Sequence, residues 1–292
     1  MKYYKFHTHK HIGDHIIVTG AVRNICAANP EIKFIIPDLY KEIFLHNPDF
    51  EKEPITYTYL AQRQQYGSIF QEQHALCGNL VEGHTKWLCN MIGVPEVPII
   101  TKKPCLCLTA RERKSAEAYK DAILINANCQ DCSISKGYPY WQEVVNLLKG
   151  KFRLIQIGGN EDRDLSINLD GVEDRRGKTS IRQLMAMVYG CRGLISPPSC
   201  STNIAGAFDK RQIVVNAGRE PDELSNYENA KHISCIGKCG WGISTGCIFL
   251  RAGEGNRQCR DYTEIDGRLY CACQMSIKPE RIAETAMELF ND

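Results

Sequence analysis

The chain reads as an α/β protein of two doubly wound domains that face each other across a cleft. Three observations carry this reading. Strand and helix patterns alternate through both halves, a proline-rich connection separates the halves, and several strands end in glycine or small polar residues. A length of 292 residues suits two medium domains at about 150 residues each.

Lys2–Phe6 is a short aromatic strand, followed by a polar turn from His7 to His15 and a helical run from Ile16 to Ala28. Ile32–Ile36 is a buried strand closed by Pro37, and Asp38 stands where a cap would open a helix through Leu45. Ile55–Tyr59 alternates as a strand, and Gln71–Ile92 repeats apolar residues (Leu76, Leu80, Leu88, Met91, Ile92) at helical spacing. Gly93–Pro104 holds three prolines and joins the domains. Beyond it, Ala122–Asn126 predicts a strand, Tyr140–Leu148 a helix and Arg153–Ile157 a strand. Ser180–Tyr189 then predicts a helix capped by Ser180, Gly193–Ile195 a strand, Thr202–Phe208 a helix and Gln212–Asn216 a strand. A cysteine segment follows, and Pro279 opens a last helix through Phe290. These elements divide into a domain over 1–104, a domain over 105–278 that includes the cysteine segment 235–273, and a C-terminal helix over 279–292 that can cross back to the first domain.

Apolar residues at 43% and charged residues at 24% exclude a disordered chain. Thirty-six basic against 34 acidic residues leave a net charge of +2, which disfavours nucleic acid as the main partner. No run approaches the length of a membrane span, and Met1–Phe6 lacks the apolar core of a secretion signal, so a soluble, cytoplasmic protein is expected. There are 15 cysteines, and six of them (Cys235, Cys239, Cys247, Cys259, Cys271, Cys273) crowd one segment. In a reducing compartment such thiols read first as a metal site and second as disulfides.

Five clusters could carry chemistry. His11-Ile12-Gly13-Asp14-His15 puts a glycine and a carboxylate at a helix start, where Asp14 is either a general base or an ordinary cap. His7, His9, His11 and His15 either begin a metal site or form a polar turn. Lys136, beside a helix start, offers a point charge to a phosphate. Ile195–Asn203 (ISPPSCSTN) stops a strand and opens a small-residue helix whose N–H groups suit a diphosphate, with Ser199 or Ser201 as the alternative cap. Gly158-Gly159-Asn160-Glu161-Asp162 ends a strand where backbone can meet a nucleotide and a carboxylate can reach a ribose, and Asp162-Arg163-Asp164 imitates a metal motif in what reads as a solvated first turn.

In this order the segments resemble glycosyltransferase family 9, the heptosyltransferase-like group with the GT-B fold of two Rossmann-like domains. HIGDHIIVTGAVRNI resembles the family's opening G-D turn, SKGYPYWQEVVNLL its lysine segment, and IQIGGNEDRDL its G-G-x-x-E segment. GKTSIRQLMAMVYGCRGLISPPSCSTNIAGAF resembles its longest signature, a helix, a strand and a phosphate loop. The resemblance covers roughly residues 1 to 220 and implies an inverting transfer of a heptose or hexose from a nucleotide-diphosphate donor, an ADP-sugar first of all. The acceptor would be a hydroxyl of a saccharide, protein or small molecule, and no catalytic metal is implied. Asp14 would be the base, with His11, Gly13 and His15 on the acceptor side. Lys136, Gly158, Gly159, Glu161, Ser199, Cys200, Ser201, Thr202 and Asn203 would hold the donor. Pro198, Cys200 and Asn203 stand where the family has aspartate, glycine and histidine, which opens donors other than ADP-heptose. The cysteine segment is similar to that of metal-containing autotransporter heptosyltransferases. Cys235, Cys239, Cys259 and Cys273 would form a closed structural site for zinc or iron, with Cys271 and Cys247 competing for places. Two other functions remain as alternatives, a metal-dependent hydrolase using His7 and His9 and a non-catalytic binding protein with a cysteine-metal ribbon.

Overall fold

The computed structural model describes residues 1–6, 11–52, 56–60, 78–127, 136–159, 167–216, 222–234 and 261–291. The fold is α/β, with a parallel sheet in each half. In the first half, β1 (Lys2–Phe6), β2 (Ile32–Ile35), β3 (Phe50–Glu51) and β4 (Thr58–Leu60) pair in the order β3-β2-β1-β4. Tyr3 stands opposite Lys33 and Lys5 opposite Tyr59.

The second sheet holds β5 (Ala122–Ile125), β6 (Arg153–Gln156), β7 (Glu173–Asp174), β8 (Gly193–Ser196), β9 (Gln212–Val215) and β10 (Ala230–Ile233), in the order β10-β9-β8-β5-β6-β7. The chain winds outward from β5 to one edge, returns to β8, and winds outward to the other edge. Helices cover both faces of such a sheet, so its strands are apolar on both sides rather than alternating. β5 shows this directly. Ala122 and Leu124 join one apolar cluster while Ile123 and Ile125 join a second on the opposite face.

Helix α1 (Ile12–Ala28) follows β1 and starts earlier than the apolar run from Ile16 suggests. Its residues from His15 through Val22 are buried, so it is a core helix rather than an amphipathic one. The cap expected at Asp38 does not form. The helix there is the single turn α2 (Lys41–Phe44), entered through Tyr40 at φ 53°, and Asp38 instead accepts a hydrogen bond from Lys5 Nζ at 3.1 Å. Of the helix expected over Gln71–Ile92, α3 occupies Leu80–Ile92, with Asn79 Oδ1 accepting from the N–H groups of Val81 (2.9 Å) and Glu82 (3.3 Å), and 71–77 lie outside the described residues.

The connection 93–104 is pinned to α1. The buried Asn24 side chain accepts from Ile100 N (3.1 Å) and Thr101 N (2.9 Å) and donates to Thr101 O (3.0 Å) and Thr85 Oγ1 (3.0 Å). Gly20 allows this passage, since a Cβ there would lie 2.4 Å from the Lys103 carbonyl oxygen.

In the second half, α4 (Ala110–Ala116) has a full capping box between Thr109 and Glu112, and α6 (Ile181–Gly190) has the expected cap at Ser180. The remaining elements are α5 (Trp141–Leu148), α7 (Cys200–Ala207), the antiparallel hairpin of β11 (Tyr262–Ile265) and β12 (Arg268–Cys271), α8 (Ala272–Met275) and α9 (Pro279–Phe290). Helix α9 packs on α5 and β9 of the second sheet, and its carbonyls at Leu289 and Phe290 accept from Arg211 Nη1 (2.8 Å) and Arg192 Nη1 (3.1 Å). Among the described residues, no helix is long and apolar enough to cross a membrane.

The halves share one apolar cluster, running from Ile16, Phe34 and Phe44 to Leu124, Leu194 and Ile204. Arg182 ties the seam at its rim. It donates to the Glu112 carboxylate (2.8 and 2.5 Å), to Cys107 O (2.9 Å) and to Glu42 O (3.1 Å) of α2 in the first half. Those bonds from Arg182 hold the Glu112 carboxyl down at about 2.

Candidate functional site

Open parallel sheets bind ligands beyond the carboxyl ends of their strands, at the point where the winding direction reverses. In the second sheet that point lies between β5 and β8. Asn126 follows β5, and Ser196 ends β8. Pro197 and Pro198 have no N–H for a further ladder bond, so the strand stops and Ser199, in extended conformation (φ −159°, ψ 177°), leads into α7.

Four polar side chains close on one another here. Ser199 Oγ lies 2.9 Å from Ser196 Oγ and 2.7 Å from Ser201 Oγ. Asn126 Nδ2 donates to Ser199 Oγ (3.3 Å) and Ser201 Oγ (3.2 Å). Thr202 closes the turn, accepting from Ser199 N at 3.1 Å and donating to Ser199 O at 2.7 Å. Lys136 arrives from a distant part of the chain and donates from Nζ to Pro198 O at 3.3 Å. Its ammonium therefore stands at the mouth of the loop that starts α7. Cys200 is half-buried in the first turn.

Asn203, 6% exposed, is oriented from behind. Tyr227 Oη donates to Asn203 Oδ1 at 2.9 Å, and the Tyr227 ring lies against Gly206, where a Cβ would meet it at 2.4 Å. Burial pushes the Tyr227 phenol well above its ordinary range, so it remains a donor.

The first half meets α7 at this residue. Helices α1 and α7 pack together, and a Cβ on Gly13 would lie 3.5 Å from Asn203 Nδ2. Asp14 follows, half-buried in the first turn of α1. The cap residue is His11, whose carbonyl accepts from Asp14 N at 3.2 Å, so Asp14 is not the N-cap that the alternative reading makes it. His11 is exposed. His15 is fully buried, its Nδ1 3.1 Å from His11 O and its ring edge-on to Tyr40 (centroids 4.9 Å apart), so it props the turn from inside.

Gly158 and Gly159 end β6, beside β5 on the same sheet edge, and Gly158 O accepts from Gly177 N at 3.0 Å. His7, His9, Glu161, Asp162 and Asp164 lie outside the described residues, as do Cys235, Cys239, Cys247 and Cys259. Cys271 and Cys273 are buried in the second apolar cluster with Ile277 and Ile282. Among the described residues, no group of three or more His, Cys, Asp or Glu side chains is placed to hold a metal ion.

Asn126, at the end of a predicted strand, and Ser196, within the Ile195–Asn203 segment, were given no role of their own, and Tyr227 was not singled out. An asparagine or serine closing a strand carries a weak signal, and nothing near Tyr227 in sequence points to Asn203. Further along the same edge, Asp222 Oδ1 accepts from Asn216 Nδ2 (2.8 Å) and Ser234 Oγ (2.5 Å), binding the ends of β9 and β10 together.

No family model matches the chain, and no curated protein matches it by sequence. Solved structures do. The glycosyl transferase family 9 protein from Veillonella parvula superposes with a TM-score of 0.69 at 12% identity, over 99% of this chain and 97% of that one. The E. coli ADP-heptose lps heptosyltransferase II gives 0.61 at 12% identity, over 100% and 99%. The iron-containing dodecameric glycosyltransferase TibC from enterotoxigenic E. coli gives 0.64 at 14% identity, over 99% of this chain and 76% of that one. The fold is thus GT-B, two Rossmann-like domains.

Proposed function

We propose that this chain is a glycosyltransferase that moves a sugar from a nucleotide diphosphate to an acceptor hydroxyl. The observation that carries the reading is the convergence on α7. Lys136 and the serine cluster meet at its start, and the Gly13–Asp14 turn of the other half meets it at Asn203.

The chemistry follows from the charges. An acceptor oxygen attacks the anomeric carbon while the Asp14 carboxylate takes its proton. The bond from that carbon to the diphosphate oxygen breaks on the opposite face, so the configuration inverts. The departing diphosphate gains negative charge, which the Lys136 ammonium and the first N–H groups of α7 meet without a divalent metal. No acidic residue stands in the first turn of α7 to oppose that anion. Gly158 and Gly159 put no side chain between the end of β6 and the nucleotide, with Glu161 beyond them in sequence. We place the acceptor on residues 1–104 and the donor on 105–278. ADP-sugars are the first donors to test, since ADP-heptose stands in the name of the E. coli heptosyltransferase of the same fold.

A structural zinc or iron on Cys235, Cys239, Cys259 and Cys273 belongs to the same proposal. A set of four thiolates suits either metal, TibC contains iron, and the one described ligand, Cys273, is buried. Elemental analysis should find about one metal per chain, lost in Cys239→Ser, and a stable metal-free protein would overturn this part.

Thermal-shift titration with ADP-, UDP-, GDP- and CDP-sugars tests the main reading. At least one should raise the melting temperature, and the shift should shrink in Lys136→Ala. No response to any of the four would end it.

A further inference from the structure

We infer that Tyr227 is a positioning residue that aims the Asn203 amide N–H₂ at the donor diphosphate, an inference that rests on the glycosyltransferase reading. An asparagine inside a helix has no fixed orientation of its own. Its carboxamide can rotate, and its oxygen and nitrogen can exchange places with little change in shape. Here three observations remove that freedom. The Tyr227 hydroxyl donates to Asn203 Oδ1 at 2.9 Å, and Gly206 brings the ring up against α7, since any side chain there would overlap it. Asn203 is also 6% exposed and Tyr227 5%, so water does not compete strongly for either group. With the oxygen engaged from behind, the nitrogen is left facing Gly13 and the seam, at the end of α7 where Lys136 and the serine cluster stand.

The polarity matters. A diphosphate presents only acceptors, so an amide nitrogen toward it attracts and an amide oxygen repels. Tyr227 touches neither the donor nor the reacting atoms in this scheme and acts through Asn203.

Two variants separate positioning from packing. Asn203→Asp keeps the size of the side chain and an oxygen for the Tyr227 hydroxyl, but turns a carboxylate oxygen toward the diphosphate. Tyr227→Phe keeps the ring and releases the amide. The probe is whichever of ADP, UDP, GDP and CDP the unaltered protein binds best, measured by calorimetry. Asn203→Asp should weaken binding more than tenfold and Tyr227→Phe about tenfold. Tyr227→Phe should add little in an Asn203→Ala background, because both changes remove the same contact. Binding unchanged in Asn203→Asp, or losses from Tyr227→Phe and Asn203→Ala that simply add, would overturn the positioning role and leave the glycosyltransferase reading standing. If none of the four nucleotides binds the unaltered protein, both fall.

Discussion

Helices α1 and α7 each begin beyond the carboxyl end of an interior strand, one in each half, and they pack against each other, yet their first turns differ in charge. Helix α1 carries Asp14 in its first turn, and α7 has no acidic residue there but Ser199, Ser201 and Thr202, with Lys136 bonded to the loop ahead of it. A helix start attracts negative charge. α1 satisfies that attraction from its own sequence, which suits a base working on a neutral hydroxyl. α7 carries no such charge of its own, which under the proposed reading leaves its start to the donor's diphosphate. Each helix also owes its position to one glycine, Gly20 beneath the Lys103 carbonyl and Gly206 beneath the Tyr227 ring.

The largest effect expected from this contrast is on Asp14. Asp14→Asn should lower transfer by at least about a hundredfold while leaving nucleotide-sugar binding in place. Turnover at the unaltered rate would show that the charge on α1 has no catalytic part. Next come the two glycines. Gly20→Ala should cost about 2 kcal/mol in urea unfolding, because the obstructing carbonyl belongs to a segment held by Asn24 and cannot easily withdraw. Gly206→Ala should cost about 1 kcal/mol and also weaken nucleotide binding, since the ring it displaces carries the Asn203 contact. Equal binding losses in both variants would erase the distinction between the helices. Lys136→Ala should raise the donor Kd about tenfold and leave acceptor affinity unchanged. Matching losses on both substrates would contradict a phosphate role.

The smallest effect concerns how firmly the two halves are held together. Arg182 holds the Glu112 carboxyl at about 2, below its ordinary value of 4.5. A depressed carboxylate stabilises the fold fully above the unfolded value, and that contribution fades as pH falls from about 4.5 toward 2. The melting temperature of Glu112→Gln should therefore trail that of the unaltered protein at pH 6, with the gap narrowing toward pH 3. A constant gap would mean that Glu112 acts through shape alone.

Much of the fold was legible locally. Ala122–Ile125, Leu194–Ile195 and Ile213–Val215 are short apolar runs that suit strands of a sheet covered on both faces, and Ser180 announced its helix by the capping pattern with Gln183. Signals for α4 and the β11–β12 hairpin were present too, in Thr109-x-x-Glu112 and in Asp266-Gly267, whose positive φ values make the turn. β3 and β7, of two residues each, are too short to show a period. Asp38 misled because a cap works only when a helix starts beside it, whereas the helix here begins at Lys41 after Tyr40 and the carboxylate accepts from Lys5 instead.

Of the candidate site, the residue types were readable and their company was not. Asp14, Lys136 and the hydroxyl-rich start of α7 stand out because a carboxylate, an ammonium and clustered small residues follow strand ends, although the carboxylate and the hydroxyls also suit ordinary helix caps. Which of them meet depends on strand order, and strand order depends on crossovers that bring residues far apart in sequence onto one sheet edge. The sequence by itself thus determined the alternating α/β layers, through apolar runs and caps that act over a few residues. Only the tertiary structure decided that Lys136 reaches Pro198, that Asn203 faces Gly13, and that Tyr227 stands behind it, because those contacts form between segments no local pattern links.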